Sequence, residues 1–589
     1  MTIAPYISAL LAENSDGGDT TTGSRWNFPN PVGSAVSLTY AFMTSVPSYS
    51  TGIRAFAPLD SAHQAAVRTA LATYASICGL RFTETSVVAT SDLTFGSNWQ
   101  SDSDGYAYYP SFSYSLDQNG AYIPGSESAT SLSGDVWLSN ADSDSAARQV
   151  PSAGSQAYQT ILHEIGHALG LKHPFDGAPT LSGQGLTDTT QYTLMSYTSP
   201  TNSNILSVSG NSSGWSWSYT ALDPSTPMVY DIAALQYLYG ANRTTRASTT
   251  TYRWESNSAF YQTIWDGGGV NTIDVRNYSL RCEINLTAGS YSSIGLRRTL
   301  AEKLTDTPAW FQGVAQSNSY TRQSLSQSHL YDGANNLGIA YGTLIQNALG
   351  GATGDLLQGN AAANSLDGGT GADTLLGGAG NDTYILDTTA DRVYETTRIG
   401  NSLDAGGIDT VRASVSWSLG AYCENLTLTG TGALNGSGNT LANVITGTSG
   451  NNRLSGDRGN DTLAGGAGRD SLIGGLGADR LTGGAGDDLF CYTAAGEGGD
   501  TITDFVRGTD HLQFVKGGFG ALTSALLAGG SFVSNRTGTA IGRRAQFVFN
   551  TATGALIYDP NGADTGAAVT IATLNIRTLS VSDLVMVSS

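Results

Sequence analysis

Alternating and helical patterns of apolar positions predict a mixed α and β domain in the first 245 residues. Residues 36–42 (Val-Ser-Leu-Thr-Tyr-Ala-Phe) alternate apolar and polar side chains, as a half-buried strand does. Residues 61–80 place Ala, Val and Leu on one helical face, and Ser61 is the expected N-cap. The same reasoning predicts strands at 92–95, 105–110 and 135–138 and helices at 156–170 and 227–238.

Beyond residue 350 a glycine-rich pattern recurs every ninth residue. Rows begin at Gly350, Gly359, Gly368 and Gly377, and again at Gly438, Gly447, Gly456, Gly465, Gly474 and Gly483. The most regular rows read Gly-Gly-x-Gly-x-Asp-x-Leu-x, which is the pattern of a calcium-binding parallel β-roll. A flexible Gly/Asp linker is the alternative, and the strict register disfavours it.

Each part of the row has a chemical reason. Glycine permits a tight turn whose carbonyls point at a cation, and Asp at the sixth position adds the hard anionic oxygen that Ca²⁺ prefers. Leu or Phe at the eighth position fills the interior between stacked strands. The predicted calcium-binding residues are Asp355, Asp373, Asp382, Asp461, Asp470, Asp479 and Asp488, with Gly368, Gly377, Gly465, Gly474 and Gly483. Rows with Asn364, Asn443 or Asn452 at the sixth position are expected to bind more weakly, and the rows are expected to fold only with calcium.

The segment 163–173, His-Glu-Ile-Gly-His-Ala-Leu-Gly-Leu-Lys-His, predicts a zinc site with its own general base. His163 and His167 lie four residues apart on one helical face and can share one metal ion. Glu164 lies beside that face, where a carboxylate can take a proton from an activated water. Gly170 is expected to end the helix in a left-handed turn, so that His173 becomes the third ligand. A buried helix with merely hydrogen-bonded histidines is the alternative.

Composition narrows the class of protein. The 589 residues exceed one domain, and the net charge of −20 makes nucleic acid and anionic membranes poor partners. Cys78, Cys282, Cys423 and Cys491 show no metal-type spacing, and we expect them to be free, although a pairing stays open. The first residues lack the basic and apolar regions of a Sec signal.

The zinc segment resembles the metzincin proteases, which carry a methionine-containing turn under the metal. Thr193-Leu-Met195-Ser-Tyr197 fits that turn. The resemblance implies that Met195 is an apolar floor and that Tyr197 ligates the resting zinc and later stabilises the oxyanion. The glycine-rich repeats favour the serralysin branch of this family.

Further residues take their expected roles from the serralysin resemblance. The strand at 105–110 resembles the edge strand that holds substrate, which assigns substrate contacts to Ala107 and Tyr108, although a plain sheet strand is as good a reading. Residues 265–274 resemble the start of the serralysin repeat domain, which implies calcium contacts at Asp266, Gly268 and Asn271. The family usually has Asp where Asn271 stands, so a weaker site is expected.

The resemblance implies an α+β metzincin catalytic domain followed by an all-β calcium-binding parallel β-roll with a β insertion and a C-terminal β domain. The expected divisions are a removable leader (1–22), the catalytic domain (23–245), a lead-in segment with the first roll block (246–385), the insertion (386–437), the second block (438–492) and a C-terminal domain with a secretion signal (493–589). A spacer or surface-docking role is the expectation for 386–437.

These observations predict a secreted, monomeric zinc endopeptidase with one catalytic Zn²⁺ and several structural Ca²⁺. Its expected partners are protein and peptide substrates and the ABC-type (type I) secretion machinery of a bacterium. One alternative is a non-catalytic, calcium-dependent surface or adhesion protein. Another is a protease dedicated to the surface layer of its own cell, with 386–437 as the anchor.

Overall fold

The chain divides into two compact units in a computed structural model. The structure describes residues 4–12, 24–119, 122–141, 149–256, 258–520, 522, 527–562, 564 and 566–588. The N-terminal unit comprises Met1–Ile273 and Tyr278–Ile345, and the C-terminal unit comprises Asp274–Asn277 and Gln346–Ser589. None of the helices in the described part of the chain has the length and apolar character needed to cross a bilayer.

The helices of the N-terminal unit are α1 (Pro5–Ser8), α2 (Ser61–Ile77), α3 (Gln156–Ala168), α4 (Val229–Tyr239), α5 (Leu300–Lys303), α6 (Ala309–Ser317) and α7 (Ser319–Ser326). The strands up to the unit boundary are β1 (Val36–Phe42), β2 (Leu80–Glu84), β3 (Leu93–Asn98), β4 (Gly105–Ala107), β5 (Phe112–Ser113), β6 (Ser128–Ala129), β7 (Asp135–Ser139), β8 (Asn204–Asn211), β9 (Gly214–Ala221), β10 (Thr251–Tyr252), β11 (Gln262–Ile264), β12 (Thr272–Asp274), β13 (Glu283–Asn285), β14 (Tyr291–Ser292) and β15 (Leu337–Ile339).

A five-stranded sheet forms the frame of the N-terminal unit. Its strand order is β2-β1-β3-β7-β4, with β4 antiparallel to β7 and the other neighbours parallel. Helices α2 and α3 pack against each other, and their apolar faces enter one buried core with the sheet. The predicted strand at 36–42 is confirmed residue for residue, and the predicted helices at 156–170 and 227–238 are confirmed within two residues at each end.

Two local expectations are wrong. The N-cap of α2 is Asp60, whose carboxylate accepts the backbone N–H groups of Ala62 and His63, and Ser61 is already inside the helix. The boundary expected at 245 is not where the units divide. Residues of the following hundred positions, such as Trp265 and Tyr331, belong to the buried core of the N-terminal unit.

The N-terminal segment is packed where the sequence suggests a polar leader. Leu10 and Leu11 are buried in the core of the N-terminal unit. The N–H of Ala12 donates to Gly170 O at 3.1 Å, and the N–H of Lys172 donates to Leu10 O at 2.8 Å. The segment therefore pairs with the chain that follows α3. Residues 13–22 of the expected leader lie outside the described residues, and removal of the leader stays a prediction.

The C-terminal unit is a two-faced roll of short strands. These strands are β16 (Asn347–Leu349), β17 (Leu356–Gln358), β18 (Ser365–Asp367), β19 (Thr374–Leu376), β20 (Thr383–Leu386), β21 (Arg392–Tyr394), β22 (Thr410–Ala413), β23 (Trp417–Ser418), β24 (Asn425–Leu428), β25 (Asn435–Ser437), β26 (Val444–Thr446), β27 (Arg453–Arg458), β28 (Thr462–Ala467), β29 (Ser471–Leu476), β30 (Arg480–Ala485), β31 (Leu489–Tyr492), β32 (Asp500–Ile502), β33 (His511–Val515), β34 (Phe532–Asn535), β35 (Gln546–Asn550), β36 (Ala555–Asp559), β37 (Val569–Leu574) and β38 (Leu584–Val587).

Successive rows of the repeat alternate between two parallel faces. One face runs β16-β18-β20-β22-β24-β26-β28-β30-β32, and the other runs β17-β19-β21 and then β23-β25-β27-β29-β31-β33. Partners on one face are two rows apart, as in the pairing of Leu463 with Leu481. Eighth-position side chains such as Leu472 and Phe490 are fully buried between the faces, as the sequence predicts.

The segment 386–437 is part of this roll and not a separate module. Strand β22 pairs in parallel with β20, and β24 pairs in parallel with β22 and β26, so one face continues through the segment without a break. The other face ends at β21 and resumes at β23. After 492 the roll receives β37 and β38 as parallel partners, and β36 turns antiparallel.

Candidate active site

Helix α3 carries the first two predicted zinc ligands. Ser155 caps it by accepting the N–H of Tyr158, and Ile161, Leu162 and Ile165 bury its apolar face. The helix ends before Gly170, which has a φ of +101°, and a side chain there would overlap the carbonyl oxygen of Ser24. This turn reverses the chain, so that His173 returns to the face of α3 that carries the other two histidines.

Every histidine of this group donates through Nδ1 to a fixed acceptor. His163 donates to Leu194 O at 2.8 Å, His167 donates to Leu171 O at 2.7 Å, and His173 donates to the carboxylate of Asp176 at 2.6 Å. In the neutral tautomer that these contacts select, each Nε2 carries a lone pair and no proton. Burial lowers the pKa of His163 to about 4 and holds the pKa of His167 well below its usual value.

The three unprotonated Nε2 atoms converge on one point. His173 Nε2 lies 3.2 Å from His163 Nε2 and 3.0 Å from His167 Nε2. Three lone pairs at this separation repel one another unless a cation lies between them. Three imidazole ligands, each held by a second partner, are the donor set of a catalytic zinc site. The residues present therefore fit Zn²⁺.

Tyr197 and Met195 lie on the turn that faces these histidines. The Tyr197 hydroxyl is 2.8 Å from His173 Nε2, while the side chain as a whole is 68% exposed and has room to move. Met195 is fully buried under α3, and a side chain at Gly166 would come within 2.8 Å of its sulfur. Glycine at 166 is therefore a packing requirement that the sequence pattern alone did not explain.

Asp231 on α4 holds this turn in place. One carboxylate oxygen accepts the N–H groups of Leu194 and Met228 at 2.7 and 2.8 Å, and the other accepts the hydroxyl of Thr193 at 2.5 Å. From the sequence, Asp231 was equally compatible with supporting this turn and with an ordinary position on the helix surface. The structure buries Asp231 completely, so the supporting position is the one observed.

Glu164 presents a carboxylate oxygen without a partner to the same cleft. The residue is 5% exposed, and Oε2 has no hydrogen-bond partner among the described residues. Burial, and then the charge of Asp104, raises the pKa of Glu164 to about 8. A side chain at Gly105 would come within 2.9 Å of Glu164 Cγ, so the edge strand leaves space for this carboxylate.

The cleft has a volume of about 360 Å³ and lies between β4, α3 and the turn of Tyr197. Strand β4 is the edge of the five-stranded sheet and contains Ala107, while Tyr108 follows it and is partly exposed. The expected edge position is confirmed, and the substrate contacts of these two residues stay a prediction. Sequence reasoning missed Asp104, Asp176 and Gly105. Each of them acts on the site through another side chain: Asp104 and Gly105 through Glu164, and Asp176 through His173.

The repeats place a second type of cation-binding geometry in the C-terminal unit. Sixth-position carboxylates use Oδ1 to accept the backbone N–H of the residue two rows earlier, as Asp479 does from Asp461 and Asp488 does from Asp470. The other oxygen, Oδ2, is buried and has no partner within the described residues. This holds for Asp373, Asp382, Asp461, Asp470, Asp479 and Asp488.

The first glycine of each row faces this second oxygen. A Cβ at Gly465 would overlap Asp470 Oδ2, and the same holds for Gly474 with Asp479. The corresponding pairs are Gly368 with Asp373, Gly377 with Asp382, and Gly483 with Asp488. A buried, charged oxygen beside exposed backbone carbonyls costs several kcal/mol unless a cation compensates it. These residues therefore fit Ca²⁺.

Asp355 and the asparagine rows differ from this pattern. Asp355 Oδ2 accepts the N–H of Gly351 at 2.6 Å, and it is not among the orphaned oxygens. In the asparagine rows the amide Nδ2 donates to a carbonyl eighteen residues earlier, at 2.9 Å from Asn364 to Gln346 and 2.8 Å from Asn452 to Leu434. The amide thus occupies a carbonyl that a calcium ion would otherwise use, in line with the weaker binding expected there.

The predicted calcium residues near 266 are also satisfied by one another. Asp266 accepts the N–H of Gly268 at 2.9 Å and the hydroxyl of Tyr252 at 2.7 Å. Asn271 Nδ2 donates to Gly268 O and to Leu344 O, both at 3.0 Å. These groups therefore lack the unpartnered carboxylate oxygen that the repeats show. Calcium binding at this position stays a prediction.

Comparison with known proteins agrees with both halves of this description. Residues 44–208 match the family model of metallo-peptidase family M12, and 230–300 match that of the peptidase M10 serralysin C terminal. Residues 349–384, 437–472 and 465–492 match the RTX calcium-binding nonapeptide repeat.

Curated serralysin relatives are similar to part of this chain. The chain is 33% identical to Serralysin A of Dickeya chrysanthemi over 362 residues, which covers 58% of this chain and 63% of the relative. It is 31% identical to Metallopeptidase AprA of Pseudomonas marginalis over 351 residues, which covers 56% of this chain and 61% of the relative. The chain thus spans about three fifths of the length of the curated relatives it matches. The chain is thus similar, in this order, to a metallopeptidase domain, the serralysin C-terminal region and RTX calcium-binding repeats.

Proposed function

We propose that this protein is a secreted, calcium-stabilised zinc endopeptidase. The observation that carries the proposal is the convergence of three unprotonated Nε2 atoms beside the unpartnered oxygen of Glu164, at the wall of an open cleft. A merely structural histidine cluster would have protons or polar partners between the rings. A zinc ion held by His163, His167 and His173 supplies Lewis acidity to water and to a peptide carbonyl.

Glu164 and Tyr197 have separate roles in the proposed reaction. Glu164 accepts a proton from the attacking water and returns it to the leaving amine, for which its buried and unpartnered Oε2 beside the cleft is suited. Tyr197 donates its hydroxyl to the oxygen that becomes negative in the transition state, after it leaves the position near His173. Its exposed side chain permits that movement.

The edge strand supplies an orientation for substrate. Strand β4 pairs with β7 on one side only, and the cleft includes Gly105. An extended peptide can therefore add to the sheet through main-chain hydrogen bonds and place a carbonyl over the metal site. This arrangement favours protein or peptide substrates. The residues of the cleft wall then determine which substrate side chains are preferred.

Location and secretion belong to the same proposal. RTX repeats and serralysin relatives indicate an extracellular protein, where calcium is abundant enough to hold the repeats together. Export through an ABC-type secretion system and attachment to a bacterial surface layer are finer inferences. The first rests on the family resemblance of the sequence after residue 492, and the second on the segment 386–437 as the anchor.

A casein digest tests the proposal. Wild-type protein with zinc and calcium is expected to cleave casein, and a zinc-selective chelator is expected to abolish cleavage until zinc is restored. Glu164→Gln is expected to bind zinc and remain inactive. A wild-type protein that binds zinc, folds with calcium and cleaves no peptide library would contradict the proposal and favour a non-catalytic surface protein.

A further inference from the structure

Three buried carboxyl groups meet at the junction between the first repeat block and the segment 386–437. Asp382 is at the sixth position of the last row of the first block, Glu395 follows β21, and Asp409 precedes β22. One oxygen of each residue lies within 4.8 Å of the others. Each residue is 1% exposed.

Hydrogen bonding uses only one oxygen of each carboxyl group. Asp382 Oδ1 accepts the N–H of Asn364 at 2.7 Å, and Asp409 Oδ1 accepts the N–H of Asp382 at 2.8 Å. Glu395 Oε1 accepts the hydroxyl of Tyr384. The remaining oxygens, Asp382 Oδ2, Glu395 Oε2 and Asp409 Oδ2, are buried and accept no N–H or hydroxyl group of the described residues, while the Glu395 and Asp409 carboxyl groups lie within hydrogen-bonding reach of each other.

The nine-residue pattern does not supply this set of oxygens. An ordinary row contributes one carboxylate, at its sixth position. Glu395 lies outside any row and directly follows β21, which belongs to the opposite face of the roll. Asp409 directly precedes β22. This strand pairs with β20 at an offset of 27 residues, from Thr383 to Thr410, in place of the usual 18. The matched repeat region also ends at residue 384.

Burial makes three unshared negative charges untenable. Together with the charges of the neighbouring carboxylates, it raises the pKa of Glu395 to about 9 and that of Asp382 to about 7. Either protons or a cation must therefore neutralise the cluster. Three hard oxygens without nitrogen or sulfur, beside a glycine-rich turn, match Ca²⁺ better than Zn²⁺.

We propose that Asp382, Glu395 and Asp409 together bind one calcium ion that fastens the segment 386–437 to the first repeat block. The segment is then a calcium-ordered bridge between the two blocks, where the sequence suggested a spacer or a docking module. This inference does not depend on the protease activity.

Calcium binding to the full-length chain tests the inference. In equilibrium dialysis Glu395→Gln is expected to bind one tight calcium ion fewer per chain than wild type. Hydrogen exchange of β21 and β22 in this variant is expected to need about tenfold more calcium for the same protection. Glu255→Gln is the matched control, because it makes the same change at an exposed carboxylate of the N-terminal unit, and it is expected to behave as wild type.

A shared proton is the competing reading. Unchanged calcium stoichiometry in Glu395→Gln, with a more stable protein at neutral pH, would overturn the proposal and assign a shared proton to the cluster. A wild-type crystal grown in millimolar calcium decides the matter without any variant. Anomalous density between the three carboxylates supports the site, and ordered side chains with no ion there refute it.

Discussion

The two units hold cations in opposite ways. In the N-terminal unit three histidines are fixed by Leu194, Leu171 and Asp176, and a packed core surrounds them, so the fold around the site does not depend on the metal. In the C-terminal unit an orphaned carboxylate oxygen recurs along the stack of rows. Each row buries little more than one large side chain, and its turns bring like charges together.

The difference predicts different consequences of metal loss. A preorganised site loses its chemistry and keeps its fold when the ion leaves. A roll whose rows gather buried carboxylates loses the compensation for those charges, and the entropy of its glycines then opposes folding. Burial raises the pKa of Asp373 and Asp461 to about 7, which shows how poorly the folded roll tolerates their charge alone.

The largest expected effect separates chemistry from fold in the N-terminal unit. Glu164→Ala removes the general base but none of the groups that hold the three histidines. We expect a loss of kcat/KM of about 10²–10⁴-fold with unchanged zinc content and an unchanged calcium midpoint for folding. Peptide cleavage kinetics and metal analysis measure this, and an active variant with full zinc would remove Glu164 from the mechanism.

Tyr197→Phe tests whether the hydroxyl acts mainly in the transition state. We expect kcat to fall about 10²-fold while KM changes little, because a missing oxyanion donor costs about this much. Steady-state kinetics on one peptide suffice. An unchanged kcat would make Tyr197 a packing residue of the turn.

Gly105→Ala probes the preorganisation of Glu164 from outside the helix. The added methyl would come within 2.9 Å of Glu164 Cγ, so the carboxylate must shift. We expect kcat to fall about tenfold or more with zinc retained. Gly313→Ala is the matched control, because its Cβ has open space in α6, and full activity in both variants would show that the edge strand does not position the base.

A smaller effect distinguishes carboxylate rows from asparagine rows. Replacement of Asp470 and Asp479 by Ala removes two orphaned oxygens, and we expect the calcium midpoint of folding to rise several-fold. The matched double variant Asn443→Ala and Asn452→Ala loses amide hydrogen bonds but no orphaned carboxylate oxygen. It should therefore raise the calcium midpoint less, as circular dichroism can measure, and equal calcium midpoints in the two double variants would contradict the distinction.

Strong local patterns made much of this architecture predictable from sequence. The periodicity of 36–42 and of 156–170 fixed a strand and a helix, and the spacing of His163, His167 and His173 fixed the metal site. The hairpin of β8 and β9 and the helices α5 to α7 were not predicted. The helix Ser319–Ser326 is polar and carries little apolar periodicity, whereas Trp215, Trp217 and Tyr219 alternate with polar residues in β9, a strand pattern that the sequence reading did not use.

Other errors arose where tertiary contacts decide the outcome. The first residues contain apolar positions followed by a Gly/Asp/Thr run, and composition alone could not show that Leu10 packs beside Leu171. The segment 386–437 lacks the nine-residue register, so only strand pairing shows that it continues the roll. Gly105 has no sequence signal, because its importance comes from Glu164, a neighbour that the fold supplies, whereas Asp176 lies only three residues after His173 and was overlooked.

Hydrogen exchange of the full chain, in calcium and then in excess EGTA, tests the central contrast most directly. EGTA also removes zinc, which the preorganised site is expected to tolerate. The account predicts that peptides covering β27 to β31 lose protection in EGTA, while β1, β3 and α3 stay protected. Adding calcium back is expected to restore the protection of the repeat peptides. Repeat peptides that remain protected in EGTA, or a loss of protection in both units together, would contradict it.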